Sequence, residues 1–243
     1  LLFKYLKIPI KIKNEKKFDY IEVQGRQNFK SFNYKIPGDV SSAAFPIVLT
    51  LLSKKSELKI KNVNVNPSRI GLITILNLMG ASIKLINKKI YKGEKISDII
   101  VKSAKSLKGI NCPSELNSAA IDEFLIIFLV AAKANGLSQF TNLLELNSKE
   151  SKRLDWAFKI LKMIGIKTKK IGNHGIKIWG KPHLELSKKY EIKNYEKDHR
   201  IFFLSVIAAM SLGGNWKIHN PDSVKTSFPS FLNLIKKLGG QVN

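Results

Sequence analysis

Several short clusters place cations beside carboxylates where helices should begin. They are Ile121-Asp122-Glu123-Phe124, Lys149-Glu150-Ser151-Lys152-Arg153-Leu154, Asp198-His199-Arg200 and Lys225-Thr226-Ser227, together with Asp39 in Pro37-Gly38-Asp39-Val40-Ser41-Ser42. A cation in the first turn of a helix opposes the helix dipole. Arg153 and Arg200 therefore carry an electrostatic cost that an anionic ligand would offset, and unpaired N–H groups at the same helix starts would favour the same ligand. Guanidinium suits phosphate and carboxylate through its planar fork. Capping alone could explain Asp39, Asp122, Asp198, Ser68, Ser151 and Ser227, because Asp and Ser are good N-caps. Asp122 stands in an apolar run, as either a cap or a partly desolvated acid–base group with a raised pKa. Glu150 and Arg153 are three residues apart, so an exposed helical ion pair of ~0.2–0.5 kcal/mol is as good a reading as a site.

These clusters recur with the chain. Asp39, Asp122 and Asp198 each open a strongly apolar helix, a short strand follows each, and a second helix is expected near Ser68, Ser151 and Ser227. The three Asp-to-Ser spacings are all 29 residues. Gly80, Gly165 and Gly239 then supply helix C-caps. Hairpins are expected from 82–86 with 99–102 and from 167–171 with 175–179. Leading strands are expected at 32–36, 107–112 and 190–194. The unit is βαβαββ, and the fold class is α/β (α+β): an inside-out, barrel-like domain of three repeats. The first helix of each unit, apolar nearly all round, should be buried, and the amphipathic second helix should lie outside. Residues 1–30 match the back end of one more unit, and the chain opens at Leu1 without Met. The expectation is a chain lacking an N-terminal portion.

Composition narrows the classes. There are 42 Lys+Arg against 18 Asp+Glu, a formal +24. Only four of the cations are arginine (Arg26, Arg69, Arg153, Arg200). The lysines are scattered among Ile and Asn, the residues AT-rich codons specify. That pattern fits codon drift better than a nucleic-acid footprint, which needs clustering on one face. One cysteine, Cys112, excludes an intramolecular disulfide and fits a reducing cytoplasm. No charge-free window of ~18 apolar residues predicts a membrane span. Metal-ligand spacings and phosphate-binding glycine loops are missing from the sequence.

The five motifs, in order and spacing, resemble those of the 3-phosphoshikimate 1-carboxyvinyltransferase (EPSP synthase) family over essentially the whole chain. The Lys-Glu-Ser-x-Arg-Leu and Asp-His-Arg pair favours this family over the UDP-N-acetylglucosamine enolpyruvyl transferases. The resemblance implies two domains of three βαβαββ units closing over a cleft. Residues 1–37 would be the tail of a truncated first domain. Residues 38–243 would form the second enolpyruvyl-transferase domain, with repeats at about 38–113, 114–190 and 191–243. It implies transfer of the enolpyruvyl group of phosphoenolpyruvate to the 5-hydroxyl of shikimate 3-phosphate, with release of phosphate. No metal or organic cofactor is implied, and no nucleic acid or membrane partner. The full-length protein would be a cytoplasmic monomer. Asp122 matches the family's proton acceptor and Glu150 its proton donor. Lys149 matches a shikimate 3-phosphate contact. Arg153, Arg200 and Lys225 match phosphoenolpyruvate contacts, and His199 and Asp39 match cleft residues. Asn147 and Lys152 depart from the family pattern, where an arginine and an acid stand. With the first domain's phosphate contacts missing, this chain alone is expected to be inactive. The competing readings are a basic nucleic-acid-binding repeat protein and a folded remnant without activity.

Overall fold

The structure is a computed structural model and describes residues 1–15, 18–28 and 30–242. Helix α1 (Leu2–Tyr5) leads into an antiparallel hairpin of β1 (Ile10–Asn14) and β2 (Asp19–Val23). These strands are largely exposed and, among the described residues, pair only with each other. The strand expected at 32–36 does not form. Pro37 has no N–H to offer a ladder, and only Gly38 bridges to the neighbouring strand at Val63. The segment instead holds on through aromatic contacts of Tyr5, Phe32, Tyr34 and Tyr91 and through Lys35 N–H donating to Tyr91 Oη at 3.1 Å.

The first unit runs α2 (Val40–Leu52), β3 (Glu57–Asn64), a 3-10 turn at Pro67–Arg69, α3 (Gly71–Leu78), β4 (Ser82–Tyr91) and β5 (Glu94–Lys102). The second runs α4 (Asn117–Ala120), a 3-10 turn at Ile121–Glu123, α5 (Phe124–Lys133), β6 (Leu137–Phe140), α6 (Arg153–Met163), β7 (Lys167–Ile171) and β8 (Gly175–Trp179). The third runs β9 (Leu186–Ile192), α7 (His199–Leu212), β10 (Gly213–Ile218), a 3-10 turn at Pro221–Thr226 and α8 (Phe231–Lys237). The sheets repeat with the units. The first two are antiparallel with the last strand central, β3-β5-β4 and β6-β8-β7, and the third is the parallel pair β9-β10. A true leading strand exists in the third unit, as β9. In the second, the expected strand at 107–112 is reduced to parallel bridges of Lys108 to Asn135 and Asn111 to Gln139.

Burial follows the apolar pattern. Every residue of α5 from Phe124 to Ala132 is buried, and α2 and α7 are buried almost as completely. These three helices pack against one another, Phe45 of α2 meeting Phe203 of α7 at a ring distance of 4.6 Å, and Phe231 of α8 closes on the same ring at 4.4 Å. Each such side chain contributes ~1.5–3 kcal/mol on leaving water. Helix α6 buries one stripe, Leu154, Ala157, Ile160 and Leu161, and shows charge outward. The second helices start later than the serines. Pro67 and Pro229 shape the approaches to α3 and α8, and the Ser151 hydroxyl is used elsewhere, as described below. The C-cap glycines stand as expected, with Gly80, Gly165 and Gly239 at φ of 94, 76 and 90°. No helix among the described residues is long and apolar enough to cross a membrane.

Candidate active site

The starts of α5, α6 and α7 converge on Arg153. Its side chain is 2% exposed, and all three of its nitrogens have partners. Nε donates to Asp198 Oδ2 at 2.8 Å and Nη2 to Asp198 Oδ1 at 3.3 Å. Nη1 donates to Asp122 Oδ1 at 3.3 Å, and Nη2 also meets Glu150 Oε2. The cost of a cation at the start of α6 is therefore met by three carboxylates of the chain itself. The expectation that it calls for an external anion is corrected to that extent.

Asp198 organises the centre. It is fully buried, caps α7 by accepting from Arg200 N at 2.9 Å, and accepts the Ser151 hydroxyl at 2.8 Å. Burial pushes its carboxyl up, but Arg153, the Arg200 N–H and Ser151 outweigh burial and hold it below the ordinary range. Arg200 Nη1 donates to the Asp122 carbonyl at 2.8 Å and to buried Glu123 at 3.1 Å. Its Nη2 and Nε have no partner among the described residues, which leaves one edge of the guanidinium for a ligand.

Asp122 is not a cap. It lies in the 3-10 turn before α5, accepts no capping bond, and turns its carboxylate to Arg153 and, at 3.4 Å, to Lys149. The cap does not hold, and neither does the raised pKa. Burial raises its carboxyl, but the combined charges of Arg200, Lys149 and Arg153 bring it below the usual value. Lys149 bonds Glu145 at 2.8 Å, and that bond, opposed by burial and aided by Asp122, raises its amine. Glu150 is 52% exposed, whereas Asp122 is 27% and Asp198 0%. His199 is pushed down by burial and by Arg200. Among the described residues no three His, Cys, Asp or Glu side chains are grouped to hold a metal ion.

Two expected residues stand apart. Lys225 is 73% exposed and pairs with Asp222 at 2.6 Å, with no bond to the Arg153 cluster. Asp39 caps α2 through Ser41 N at 3.3 Å and Ser42 N at 2.8 Å, and Arg69 approaches it to 3.9 Å. Ser151 and Asp198, which local sequence offers as caps, and Glu123, to which it gives no role, all belong to the site. The signal was present for Asp198: an N-cap acid two residues before an arginine, in a chain with four arginines. Asn147, one of the departures, reaches the start of α6 from the preceding turn and accepts Leu154 N at 3.0 Å.

A constellation of two arginines, one lysine and five carboxylates at helix starts can grip anions and move protons. The family described as "EPSP synthase (3-phosphoshikimate 1-carboxyvinyltransferase)" matches residues 2–235. The chain is 39% identical over 219 residues to the 3-phosphoshikimate 1-carboxyvinyltransferase of Ruthia magnifica subsp. Calyptogena magnifica, covering 90% of this chain and 49% of that one. Against the protein of that name from Alkaliphilus oremlandii (strain OhILAs), identity is 32%, with 92% and 51% covered. The fold is similar to the solved EPSP synthase from Acinetobacter baumannii, with a TM-score of 0.85 at 33% identity, over 97% of this chain and 53% of that one. The chain thus spans about half the length of the relatives it matches.

Proposed function

The chain belongs to the EPSP synthase family, and we propose that it supplies one face of a site that transfers the enolpyruvyl group of phosphoenolpyruvate to the 5-hydroxyl of shikimate 3-phosphate. The observation that carries this reading is the placement of Asp122 and Glu150 on the two terminal nitrogens of one guanidinium. Two acid–base groups held to one anion-binding fork are what addition followed by elimination needs.

In this reading the free edge of Arg200 grips phosphoenolpyruvate, Arg153 joins it as Glu150 turns from Nη2 toward the methylene carbon, and Lys149 meets the phosphate of shikimate 3-phosphate. Asp122 accepts the proton of the 5-hydroxyl as its oxygen bonds to the substituted alkene carbon. Glu150 donates a proton to the methylene carbon, giving a tetrahedral intermediate. Glu150 then takes a proton back from that carbon as the C–O bond to phosphate breaks, and the proton held by Asp122 leaves with the phosphate. Asp122 is ionised at neutral pH, as an acceptor must be. Substrate anions that occupy Arg200, Lys149 and Arg153 weaken the pull on it, and burial then raises its basicity. Lys225, Asp39 and His199 line the cleft. Residues 1–37 belong to a preceding domain and residues 38–243 to the second.

The chain alone gives no turnover in this reading, because half the site lies in sequence the relatives have and this chain does not match. The test is phosphate release from phosphoenolpyruvate and shikimate 3-phosphate. The chain by itself is compared with the chain combined with the unmatched half of the Ruthia magnifica relative. Release in the combination only is expected. Ordinary turnover by the chain alone, or none in a combination shown to associate, overturns the proposal.

A further inference from the structure

Gly71 opens α3 at a position where neither helix geometry nor a positive φ asks for glycine. The reason for it is space. A Cβ on Gly71 would stand 2.6 Å from the Ala119 carbonyl carbon, 2.7 Å from its oxygen and 2.8 Å from Ala120 Cβ. The obstructing atoms are mostly backbone, so no side-chain rotation relieves the clash, and one of the two segments would have to move by most of an ångström. Helix α3 is locked in the core through Leu72, Ile75 and Leu76, all fully buried. Helix α4 is a single turn of four residues. It is tethered from its other side by Asn117, which donates to the Thr141 carbonyl at 2.8 Å and the Asn142 carbonyl at 3.1 Å. The segment that yields is α4, and Asp122 lies two residues beyond it in the turn at Ile121–Glu123.

We propose that Gly71 is a positioning residue for Asp122: its missing side chain lets α3 close onto Ala119 and Ala120, and that contact, opposed by Asn117, sets where Asp122 meets its cations. The placement matters because the meetings are close. Asp122 Oδ1 stands 3.3 Å from Arg153 Nη1 and 3.4 Å from Lys149 Nζ, and its carbonyl stands 2.8 Å from Arg200 Nη1. Most of an ångström of movement breaks such contacts. A misplacement of ~1 Å can cost a catalytic group ~10²-fold in rate. The consequence for turnover rests on the acid–base reading of Asp122, whereas the positional claim does not.

The experiment follows the Asp122 carboxyl by 13C NMR titration in this chain, in the original sequence and in Gly71→Ala, Asn117→Ala and Gly25→Ala. The groups facing Asp122 are Arg200, Lys149 and Arg153, with Glu145, Glu150, Glu123 and Asp198 sharing those cations. Gly71→Ala moves the Asp122 midpoint up toward the ordinary carboxylate value, as does Asn117→Ala. Gly25→Ala, with no atom within 4 Å of the added Cβ, leaves Asp122 where it was. An unchanged Asp122 midpoint in folded Gly71→Ala overturns the proposal. Should that variant not fold, an unchanged midpoint in Asn117→Ala overturns it. Failure of the catalytic reading would show differently, as turnover surviving Asp122→Asn in the combined protein.

Discussion

Replacing Arg153 with methionine isolates the ion pair at the heart of the site, because methionine keeps most of the side-chain volume and removes the charge. The partners differ in what they lose. Glu150 is half exposed, so its pair contributes no more than ~1 kcal/mol. Asp198 is fully buried and would keep only the Ser151 hydroxyl and the Arg200 N–H. Leaving a buried charge uncompensated costs ~3–5 kcal/mol. That is a large share of the ~5–15 kcal/mol that holds a domain together. The assay is urea unfolding at pH 7 of the chain, Arg153→Met, Asp198→Asn and the double variant, with a constant m-value as the check on two-state behaviour. The double variant should cost less than the sum of the singles by ~0.5–3 kcal/mol. The pH dependence has a definite sign. In the unaltered chain the Asp198 carboxyl is held low, so its contribution is complete above the unfolded value of ~3.9 and is lost as pH falls through the folded value. Without Arg153 burial raises that folded value, and protonation relieves the variant. The stability gap between the two should therefore narrow on acidification. A loss below ~1 kcal/mol at pH 7, additive singles, or a gap that does not narrow would refute the reasoning.

Two further outcomes follow from the helix starts. Asp39→Ala removes the cap of α2 and should cost ~0.5–2 kcal/mol in the same unfolding assay, whereas Asp39→Asn, which can still accept from Ser42 N, should cost much less. His199 is held below its ordinary value by burial and Arg200, so its contribution to stability is present above pH ~6.5 and is lost as pH falls through that value toward the folded one. His199→Gln should flatten the stability profile of the chain between pH 7 and 5.

The repeat was legible because it is written in local pattern. Apolar stretches after Asp39, Asp122 and Asp198 are the buried helices, and the glycines at 80, 165 and 239 end the outer ones. Of the leading strands only the third, β9, was legible, because a strand needs a partner from elsewhere in the chain and Pro37 weakens one such pairing before it starts. Asp122 shows the same limit at the site. Its neighbours in sequence suggested a cap or a proton carrier with a raised pKa, while the deciding groups, Arg153 and Arg200, come from 31 and 78 residues away. The scarcity of arginine did point to Arg153 and Arg200. What the sequence concealed was that the chain neutralises them with its own acids, one of which, Asp198, read only as a cap.

The most direct test of the account is phosphate release from phosphoenolpyruvate and shikimate 3-phosphate by the chain combined with the unmatched half of a relative, comparing Asp122→Asn and Glu150→Gln. Positioned acid–base groups contribute ~10²–10⁴-fold. The account predicts that each variant falls by that order while the combination stays folded and still binds both substrates. Turnover within a few-fold of the unaltered combination in either variant would contradict it.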